Sequence, residues 1–384
     1  MPGHFVRLKD RIRTIIEGHD AGQWPHTCNV LSGASRLYGL LTHVRHKFYD
    51  RGLLKSHRLP CRVISVGNLT VGGTGKTPMA IYIARHLRGL GYKVAILSRG
   101  YGGRAEKKGG IVSDGLQMMM DPDNAGDEAF MMADKLEGIP VLVGQNRYRS
   151  GITANKLFNC EIIILDDGYQ HRRLQRDLNL LLLDAKSPFG NGHLLPRGPL
   201  RSPKSSSQRA DAFVFTRCTP EIGLPELPAQ TSKPSMVFHT RHRPVLFKAA
   251  VPPNAGRNRN FRARLEPIAI ESIVGTKVVG FSGIANNLDF KRSLLSFGVL
   301  LQSFLSFGDH HRYSDEDLHV IQSRCSDADA EWLATTEKDF YRLCHRFHPK
   351  VQMLVVGIEI EFLPNPDGFH AFMDSACQGL DARV

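Results

Sequence analysis

The sequence predicts an α/β fold built on a parallel sheet, and two patterns support that prediction. Short runs rich in Val, Ile and Leu alternate with helical stretches, as is typical of parallel strands whose sheet is covered on both faces. The same alternation resumes after residue 275, which predicts a second, smaller α/β domain. The strand candidates are 61–66, 93–97, 141–143, 161–165, 179–183, 212–215, 277–281 and 353–358.

Composition shifts divide the chain into segments. Residues 198–209 are rich in Pro, Ser, Arg and Lys, which predicts a mobile loop, whereas 236–271 fits a two-stranded ribbon or linker. The prediction is an N-terminal extension with one helix, a core that holds the parallel sheet, a β-ribbon linker and a C-terminal α/β domain. Their bounds are 1–58, 59–235, 236–274 and 275–384.

The chain carries excess positive charge, with 50 Lys and Arg against 37 Asp and Glu and a net charge of +13. Such a protein attracts nucleic acid, phosphorylated substrates or an anionic bilayer. The seven cysteines are scattered without a CxxC pair, which argues against a disulfide framework or structural zinc and favours a reducing compartment. There is no secretory signal pattern and no apolar run near the ~20 residues that span a bilayer, so we expect a soluble or peripheral protein.

One stretch, residues 30–48, has apolar residues at steps of three and four, which predicts an amphipathic helix. Basic side chains, among them Arg36, Arg45 and Lys47, occupy the remaining surface. Two interpretations stay open at this point: a helix packed on the core, or a helix lying in a membrane interface with its cations toward lipid phosphates. The apolar positions are Val30, Ala34, Leu37, Leu41, Val44 and Phe48.

A glycine-rich loop follows the first strand candidate and precedes a helix that starts near Pro78. It ends in Gly-Lys-Thr, as a Walker A loop does, although Thr70 stands where the first glycine is expected. Backbone N–H groups of such a loop surround phosphates, the lysine reaches the β- and γ-phosphates of ATP, and the threonine hydroxyl binds Mg²⁺. The predicted nucleotide-binding residues are Thr70, Val71, Gly72, Gly73, Thr74, Gly75, Lys76 and Thr77.

Three pairs of polar residues are further site candidates. Asp166-Asp167 closes an apolar strand, where a carboxylate faces the ligand crevice and can hold Mg²⁺. Asp127-Glu128 begins a helical stretch, and from the residues alone helix capping explains this pair better than catalysis does. His310-His311 has no companion Cys or His cluster, so the sequence gives no reason to expect a metal there.

In eight sequence blocks the chain resembles the tetraacyldisaccharide 4′-kinases, which phosphorylate the lipid A precursor of Gram-negative bacteria. The matching blocks lie in family order and cover most of the chain from about residue 30. They read VGNLTVGGTGKTP (66–78), SRGYGG (98–103), GDE (126–128), DDGYQHRRLQRDL (166–178), FGNGHLLPRGPLR (189–201), FSGIAN (281–286), FGDHHRY (307–313) and TTEKD (335–339).

The resemblance implies a role for each matching residue. Asp127 is then the catalytic base, assisted by a histidine of the DHH segment. His310 is the first candidate, and the sequence leaves His311 open as the alternative. Because the predicted segments separate Asp127 from His310, we expect domain closure to bring the pair together and to exclude water. The other implied residues are Lys76 and Arg201 for catalysis, Gln170 near the nucleotide, and Thr77, Glu128, Asp166 and Asp167 around Mg²⁺.

One residue departs from the family pattern. Ser202 stands where the family usually has Glu after the LLPRGPLR block, so the role of that Glu toward nucleotide or metal has no counterpart here.

The implied reaction is transfer of the ATP γ-phosphate to the 4′-hydroxyl of a tetraacyldisaccharide 1-phosphate, giving lipid IVA. The implied partners are the acylated disaccharide-phosphate lipid and the anionic surface of the bacterial inner membrane, on its cytoplasmic face. We expect no nucleic acid and no obligate protein partner.

Three other classes of protein share some of these features. A MinD- or ParA-like switch ATPase is disfavoured by Val71, where those proteins have Lys. A nucleic-acid-binding ATPase lacks a recognition motif. A relative that has lost activity conflicts with the intact candidate residues.

Overall fold

A computed structural model describes residues 12, 14–16, 24–223, 225, 236–250 and 262–378. The helices within this range are α1 (Pro25–Asp50), α2 (Lys76–Gly89), α3 (Pro122–Ala125), α4 (Asp127–Lys135), α5 (Arg147–Phe158), α6 (Asn287–Ser296), α7 (Asp315–Asp327), α8 (Glu337–Leu343) and α9 (Asp367–Cys377). The strands are β1 (Arg62–Gly67), β2 (Val94–Ser98), β3 (Gly110–Ser113), β4 (Val141–Val143), β5 (Ile162–Asp166), β6 (Leu178–Asp184), β7 (Ala212–Thr216), β8 (Met236–Ala250), β9 (Arg264–Pro267), β10 (Lys277–Ser282), β11 (Leu300–Ser306), β12 (Trp332–Thr336) and β13 (Gln352–Leu363).

The chain forms two compact units, and neither is continuous in sequence. The first unit comprises Met1–Val94, Gly151–His242 and Ile360–Val384, and the second comprises Ala95–Ser150 and Arg243–Glu359. The units run across the segment bounds expected from the sequence, because residues 95–150 group with the later part of the chain. The four-segment division stays a prediction.

The first unit is built on parallel strands. β1 lies between β5 and β6, β6 pairs with β7, and β7 pairs with the start of β8, all in parallel. Apolar side chains fill the space beside this sheet, since the strands are apolar along nearly their whole length. Completely or almost completely buried members of this core include Leu69, Tyr169, Leu181, Phe213 and Phe215. The predicted α/β class with a parallel sheet is confirmed.

The second unit also has an α/β pattern. β10 lies between β11 and β12, and β12 pairs with β13, all in parallel. β2 pairs with β4 in parallel, and β3 joins β4 antiparallel. The expected two-stranded ribbon is present, because β8 pairs antiparallel with β9 between Phe247 and Pro267. The hydrophobic core of the second unit includes Val278, Leu294, Trp332 and Leu354.

The segment predicted as a mobile loop, 198–209, is instead a packed element of the first unit. It ends in a 3-10 helix, Lys204–Arg209, and its Leu200, Ser202 and Ser206 are buried. The Tyr169 hydroxyl donates a hydrogen bond of 2.7 Å to the backbone carbonyl of Ser206. The prediction failed because polar composition indicates a loop but does not show which hydroxyls find buried partners.

Helix α1 settles one of the interpretations left open above. Its buried residues are Cys28, Leu31 and Ser35, so the core-facing side is not the apolar stripe that the spacing predicted. That stripe is exposed, with Leu37 59% and Leu41 61% accessible, along with Val30, Val44 and Phe48. The interpretation as a core-packed stripe is therefore wrong. No helix among the described residues is long and apolar enough to cross a bilayer.

The close approach of β1 to the segment after β5 makes a prediction about Gly67. A Cβ at this position would lie 2.6 Å from Cβ of Tyr169 and 2.9 Å from its backbone nitrogen, so Gly67→Ala forces the backbone apart. Overpacking of this kind costs about 1–3 kcal/mol. We expect a lower Tm by calorimetry.

The matched control is Gly89→Ala at the end of α2, where a Cβ meets nothing within 4 Å. We expect this variant to keep or slightly raise the Tm. An unchanged Tm for Gly67→Ala would contradict the packing described for this strand.

Candidate functional site

The glycine-rich loop of the first unit runs from β1 into α2. Gly72 and Gly75 have φ of +108° and +79°, a region that side chains rarely adopt, so glycine is needed at these two positions. Lys76 and Thr77 then form the first turn of α2, where the unpaired N–H groups of a helix start favour an anion. The local geometry is that of a phosphate-binding loop.

The missing first glycine at Thr70 has a structural explanation. Thr70 forms an antiparallel bridge with Leu200, and the Val71 N–H donates to the Pro199 carbonyl at 2.7 Å. Thr70 is not among the residues with positive φ. Because the backbone here is bridged to the LLPRGPLR segment, a β-branched residue fits where the common motif has glycine.

Arg201 connects the start of the loop to the end of β5. Its Nη1 and Nη2 each lie 2.9 Å from an oxygen of Asp167, and its Nε donates to the Thr70 carbonyl at 3.0 Å. Its Nη2 also binds the side-chain oxygen of the buried Asn68. A planar guanidinium suits such a bidentate contact, and it fixes one carboxylate relative to the phosphate loop.

The remaining nucleotide candidates of this unit lie around the same loop. Lys76 Nζ is 3.3 Å from the Gly72 carbonyl and 3.9 Å from Asp167 Oδ1. Gln170 donates a 2.6 Å hydrogen bond to the Asn68 carbonyl, so it holds the loop backbone. Asp166 is buried at the end of β5, and Asp167 follows with φ of +51°.

Two side chains beside the loop were not found from the sequence. Arg217 binds the carbonyl of Gly73 and lies 2.7 Å from Asp184. His242 packs against Gly75, where a Cβ would approach its Nε2 to 2.6 Å. Burial, followed by the charge of Arg217, lowers the pKa of His242 to about 4. Neither residue lies in a recognisable motif, so local pattern carried no signal for them.

In the second unit, Asp127 and Glu128 form the first turn of α4, and each is bound by a cation from α8. Arg342 Nε donates to Asp127 Oδ2 at 2.5 Å, and Lys338 binds Glu128. Lys338 and Arg342 are four residues apart and therefore share one face of α8. Burial opposes their charging, but the facing carboxylates outweigh it and hold the pKa of both groups above the usual value.

Asp339 anchors Arg342 from the other side. This carboxylate is completely buried and accepts hydrogen bonds from the Gly283 N–H at 3.0 Å, from Thr336 at 2.7 Å and from Tyr313 at 3.0 Å. Arg342 Nη1 lies 2.8 Å from the same carboxylate. The blocks FSGIAN, FGDHHRY and TTEKD thus meet at one buried charge.

His310 and Asp127 do not form the expected hydrogen bond within the described part of the chain. Arg342 lies between them, since its Nη2 donates to His310 Nδ1 at 3.2 Å while its Nε serves Asp127. Both residues also belong to one compact unit, so domain closure is not required to bring them together. His311 instead binds Asp317 at 2.9 Å and stacks on Phe307, which leaves His310 as the candidate.

The structure thus groups Thr70–Thr77, Asp166, Asp167, Gln170 and Arg201 in the first unit, and Asp127, Glu128 and His310 in the second. Ser202, which stands where the family usually has Glu, is buried. Within the described ranges there is no group of three or more His, Cys, Asp and Glu side chains placed to hold a metal. The TTEKD block contains Lys338 and Asp339, but local pattern indicates no role for them, and Arg342 lies outside every matching block.

Comparisons with known proteins cover nearly the whole chain. The family described as tetraacyldisaccharide-1-P 4′-kinase matches residues 28–378. The tetraacyldisaccharide 4′-kinase of Desulfatibacillum aliphaticivorans is 41% identical over 97% of this chain and 98% of its own length, and that of Syntrophus aciditrophicus is 39% identical over 90% and 92%. The crystal structure of LpxK from Aquifex aeolicus in complex with ATP matches with a TM-score of 0.73 and 31% identity, over 91% of this chain and 99% of that one.

The depressed pKa of His242 predicts how stability changes with pH. The neutral form is favoured in the folded chain, so stability is complete above the ordinary value of 6.5 and is lost as the pH falls toward about 4. The slope is at most about 1.4 kcal/mol per pH unit. We expect the Tm of the wild type to fall more steeply between pH 7 and 5 than that of His242→Gln.

The control is His319→Gln, at an exposed position on α7. This variant should follow the wild-type curve. Parallel curves for the wild type and His242→Gln would show that this histidine is not held neutral beside the phosphate loop.

Proposed function

This chain belongs to the tetraacyldisaccharide-1-P 4′-kinase family, and on that premise we propose that it transfers the γ-phosphate of ATP to the 4′-hydroxyl of a tetraacyldisaccharide 1-phosphate. The product is the bis-phosphorylated lipid A precursor. The observation that carries the proposal is the end-to-end match with relatives of that name, together with an intact phosphate loop. The enzyme is a kinase with a hydroxyl acceptor.

The first unit is proposed to hold the donor. The N–H groups of the glycine loop and of the α2 start bind the phosphates, and Lys76 reaches the β- and γ-phosphates. Arg201 and Gln170 act through Asn68, Thr70 and Asp167 by fixing the loop. Such preorganised donors stabilise the charge that spreads over the transferred phosphoryl group.

The residues available to Mg²⁺ fit that ion. In the first unit, Thr77 offers a hydroxyl, and Asp166 and Asp167 offer carboxylates, which are the hard oxygen donors that Mg²⁺ prefers. Glu128, which the resemblance implies as a further Mg²⁺ residue, belongs to the second unit. A site with few protein ligands is expected, because Mg²⁺ in kinases is usually held by one or two carboxylates together with nucleotide phosphates. Bound there, the ion would neutralise charge on the phosphates.

Asp127 is proposed as the base that accepts the proton of the sugar hydroxyl. Arg342 donates to Oδ2 and so orients the carboxylate. Oδ1 is the oxygen proposed to accept the proton. The side chain is 30% accessible, so a substrate hydroxyl has a route to it. Proton transfer to a positioned carboxylate contributes roughly 10²–10⁴-fold to the rate.

His310 is proposed to assist through Arg342. Its Nδ1 accepts from Arg342 Nη2, and the edge of Tyr101 contacts its ring at a centroid distance of 5.8 Å. The histidine therefore fixes the rotation of the guanidinium that orients Asp127. This replaces the direct His310–Asp127 contact that the sequence suggested.

The exposed stripe of α1 is proposed to dock on the anionic inner-membrane surface on its cytoplasmic side. Six large apolar side chains are exposed along this helix, the five of the stripe and Leu40, and an apolar face of that kind buries favourably at the boundary between head groups and acyl chains. Arg36, Arg45 and Lys47 flank it, and each basic residue near such a surface adds about 1 kcal/mol. The acylated substrate resides in the same membrane.

The direct test of the reaction is transfer from γ-labelled ATP to tetraacyldisaccharide 1-phosphate in detergent micelles with Mg²⁺. We expect label on the lipid. ATP hydrolysis without labelled lipid would favour the switch ATPase and would overturn the proposal.

Replacement of Asp127 by Asn removes the base while it keeps the size of the side chain. We expect kcat to fall by roughly 10²–10⁴-fold, with little change in the apparent affinity for ATP, measured in the same transfer assay. Asp123→Asn, an exposed carboxylate on α3, is the control and should keep full activity. Near-normal turnover of Asp127→Asn would exclude the assigned role.

Replacement of Leu41 by Ser tests the membrane contact. Burial of a leucine is worth roughly 1.5–3 kcal/mol, so we expect at least about a tenfold weaker partition onto vesicles that contain anionic lipid. Leu157→Ser changes an equally exposed leucine on α5, 61% accessible like Leu41, and should bind as the wild type does. Equal binding by all three proteins would place the membrane contact elsewhere.

A further inference from the structure

Four arginines of the first unit form a cluster that the proposed reaction does not use. Arg45 belongs to α1, Arg172 and Arg176 follow β5, and Arg209 ends the 3-10 helix. Arg45 and Arg172 both contact the Tyr49 ring, at 5.7 and 5.3 Å from its centroid, and Arg209 lies 4.8 Å from the centre of Tyr169. We refer to these four residues as the arginine cluster.

Negative charge around the arginine cluster is scarce. In the described part of the chain, the carboxylates that act on it are Asp50, which lies 2.5 Å from Arg172, and Asp211. Asp50 is 61% accessible, whereas the side chain of Arg172 is only 13% accessible. Four guanidinium groups therefore share two such carboxylates, and the one in direct contact, Asp50, lies at the exposed edge of the cluster.

The positive charge of the cluster helps to lower the pKa of Arg176, a member of the cluster, and of His46 beside it. Burial and then the charge of Arg209 lower the pKa of Arg176 to about 10. Burial, followed by Arg209, Arg172 and Arg45, lowers the pKa of His46 to about 4, so this histidine adds no charge near neutral pH. Crowded guanidinium groups with a lowered pKa are costly unless an anion offsets them.

Two donors of the cluster are buried without a hydrogen-bond partner in the described residues. They are Nε of Arg176 and Nη2 of Arg209. Their other nitrogens are used, since Arg176 Nη1 donates to the His171 carbonyl at 3.0 Å and Arg209 Nη1 to the Tyr169 carbonyl at 3.5 Å. Buried donors of this kind are normally satisfied, so both nitrogens can still bind an oxygen ligand.

The location selects the ligand. Arg45 lies on α1 between Leu41 and Phe48, two members of the exposed apolar stripe. A helix that places its apolar stripe among acyl chains brings Arg45 to the depth of the phosphate groups. We infer that the arginine cluster is a binding site for the phosphate group of an anionic phospholipid, separate from the residues assigned to phosphoryl transfer.

The test measures thermal unfolding of the full chain as soluble dihexanoylphosphatidylglycerol is added. Saturating Mg·ADP keeps the phosphate loop filled, and 0.3 M NaCl screens diffuse attraction between charges. We expect the lipid to raise the Tm of the wild type. Because each variant loses a charge-assisted contact with the phosphate group, Arg209→Gln and Arg45→Gln should each weaken the apparent affinity about tenfold or more.

The controls separate this site from general charge and from folding. Arg85→Gln removes an exposed cation of α2, outside both the arginine cluster and the membrane-facing helix, and should leave the affinity unchanged. Arg45 is exposed, so its replacement keeps the test valid even if Arg209→Gln does not fold. Equal Tm shifts in the wild type and both cluster variants would overturn the inference. A shift with inorganic phosphate at the same concentration but none with the lipid would assign the site to free phosphate and overturn the lipid assignment.

Discussion

The second unit depends on the ion pairs that the Arg342 guanidinium makes with Asp127 and Asp339. The side chain is only 8% accessible, so its charge is retained because carboxylates on both sides compensate the loss of water. The Asp339 carboxylate accepts a hydrogen bond from Arg342 Nη1. The same carboxylate also accepts from the Gly283 N–H and from the Tyr313 and Thr336 hydroxyls, which hold it in place. Removal of one partner would leave a buried charge unpaired, which is far more costly than the pair itself is stabilising.

Arg201 has the same function in the first unit. It joins Asp167 to the backbone of the phosphate loop, as Arg342 joins Asp127 to the segments around Gly283 and His310. In both places a planar guanidinium with several fixed donors holds a carboxylate at one orientation, which lysine cannot do. Phosphoryl transfer requires little covalent chemistry from the protein and much positioning of charge, so two such clamps suit a kinase.

Patterns within the sequence predicted most of the strands, the phosphate loop and the carboxylates at the end of β5, because each depends on neighbouring residues. They did not predict β3, β11 and β12. They missed Asn68, His242 and Arg342, whose roles come from contacts with residues distant in the chain. The helical period of 30–48 predicts the helix but does not show which of its sides faces the core. That side is set by the hydrogen bonds that the Ser35 and Tyr38 hydroxyls donate to the backbone carbonyls of Leu194 and Arg201. The sequence alone does not explain why threonine replaces the first glycine of the motif at position 70. The explanation is the backbone bridge between Thr70 and Leu200.

The most direct test of this account is a double-mutant cycle on kcat with Asp127→Asn, Arg342→Lys and both changes together, measured by transfer of labelled phosphate to the lipid. If Arg342 acts by orienting Asp127, Arg342→Lys should lower kcat much less in the Asp127→Asn background than in the wild type. The coupling energy between the two substitutions should then be roughly 0.5–3 kcal/mol. Equal effects of Arg342→Lys with and without Asp127 would contradict the account.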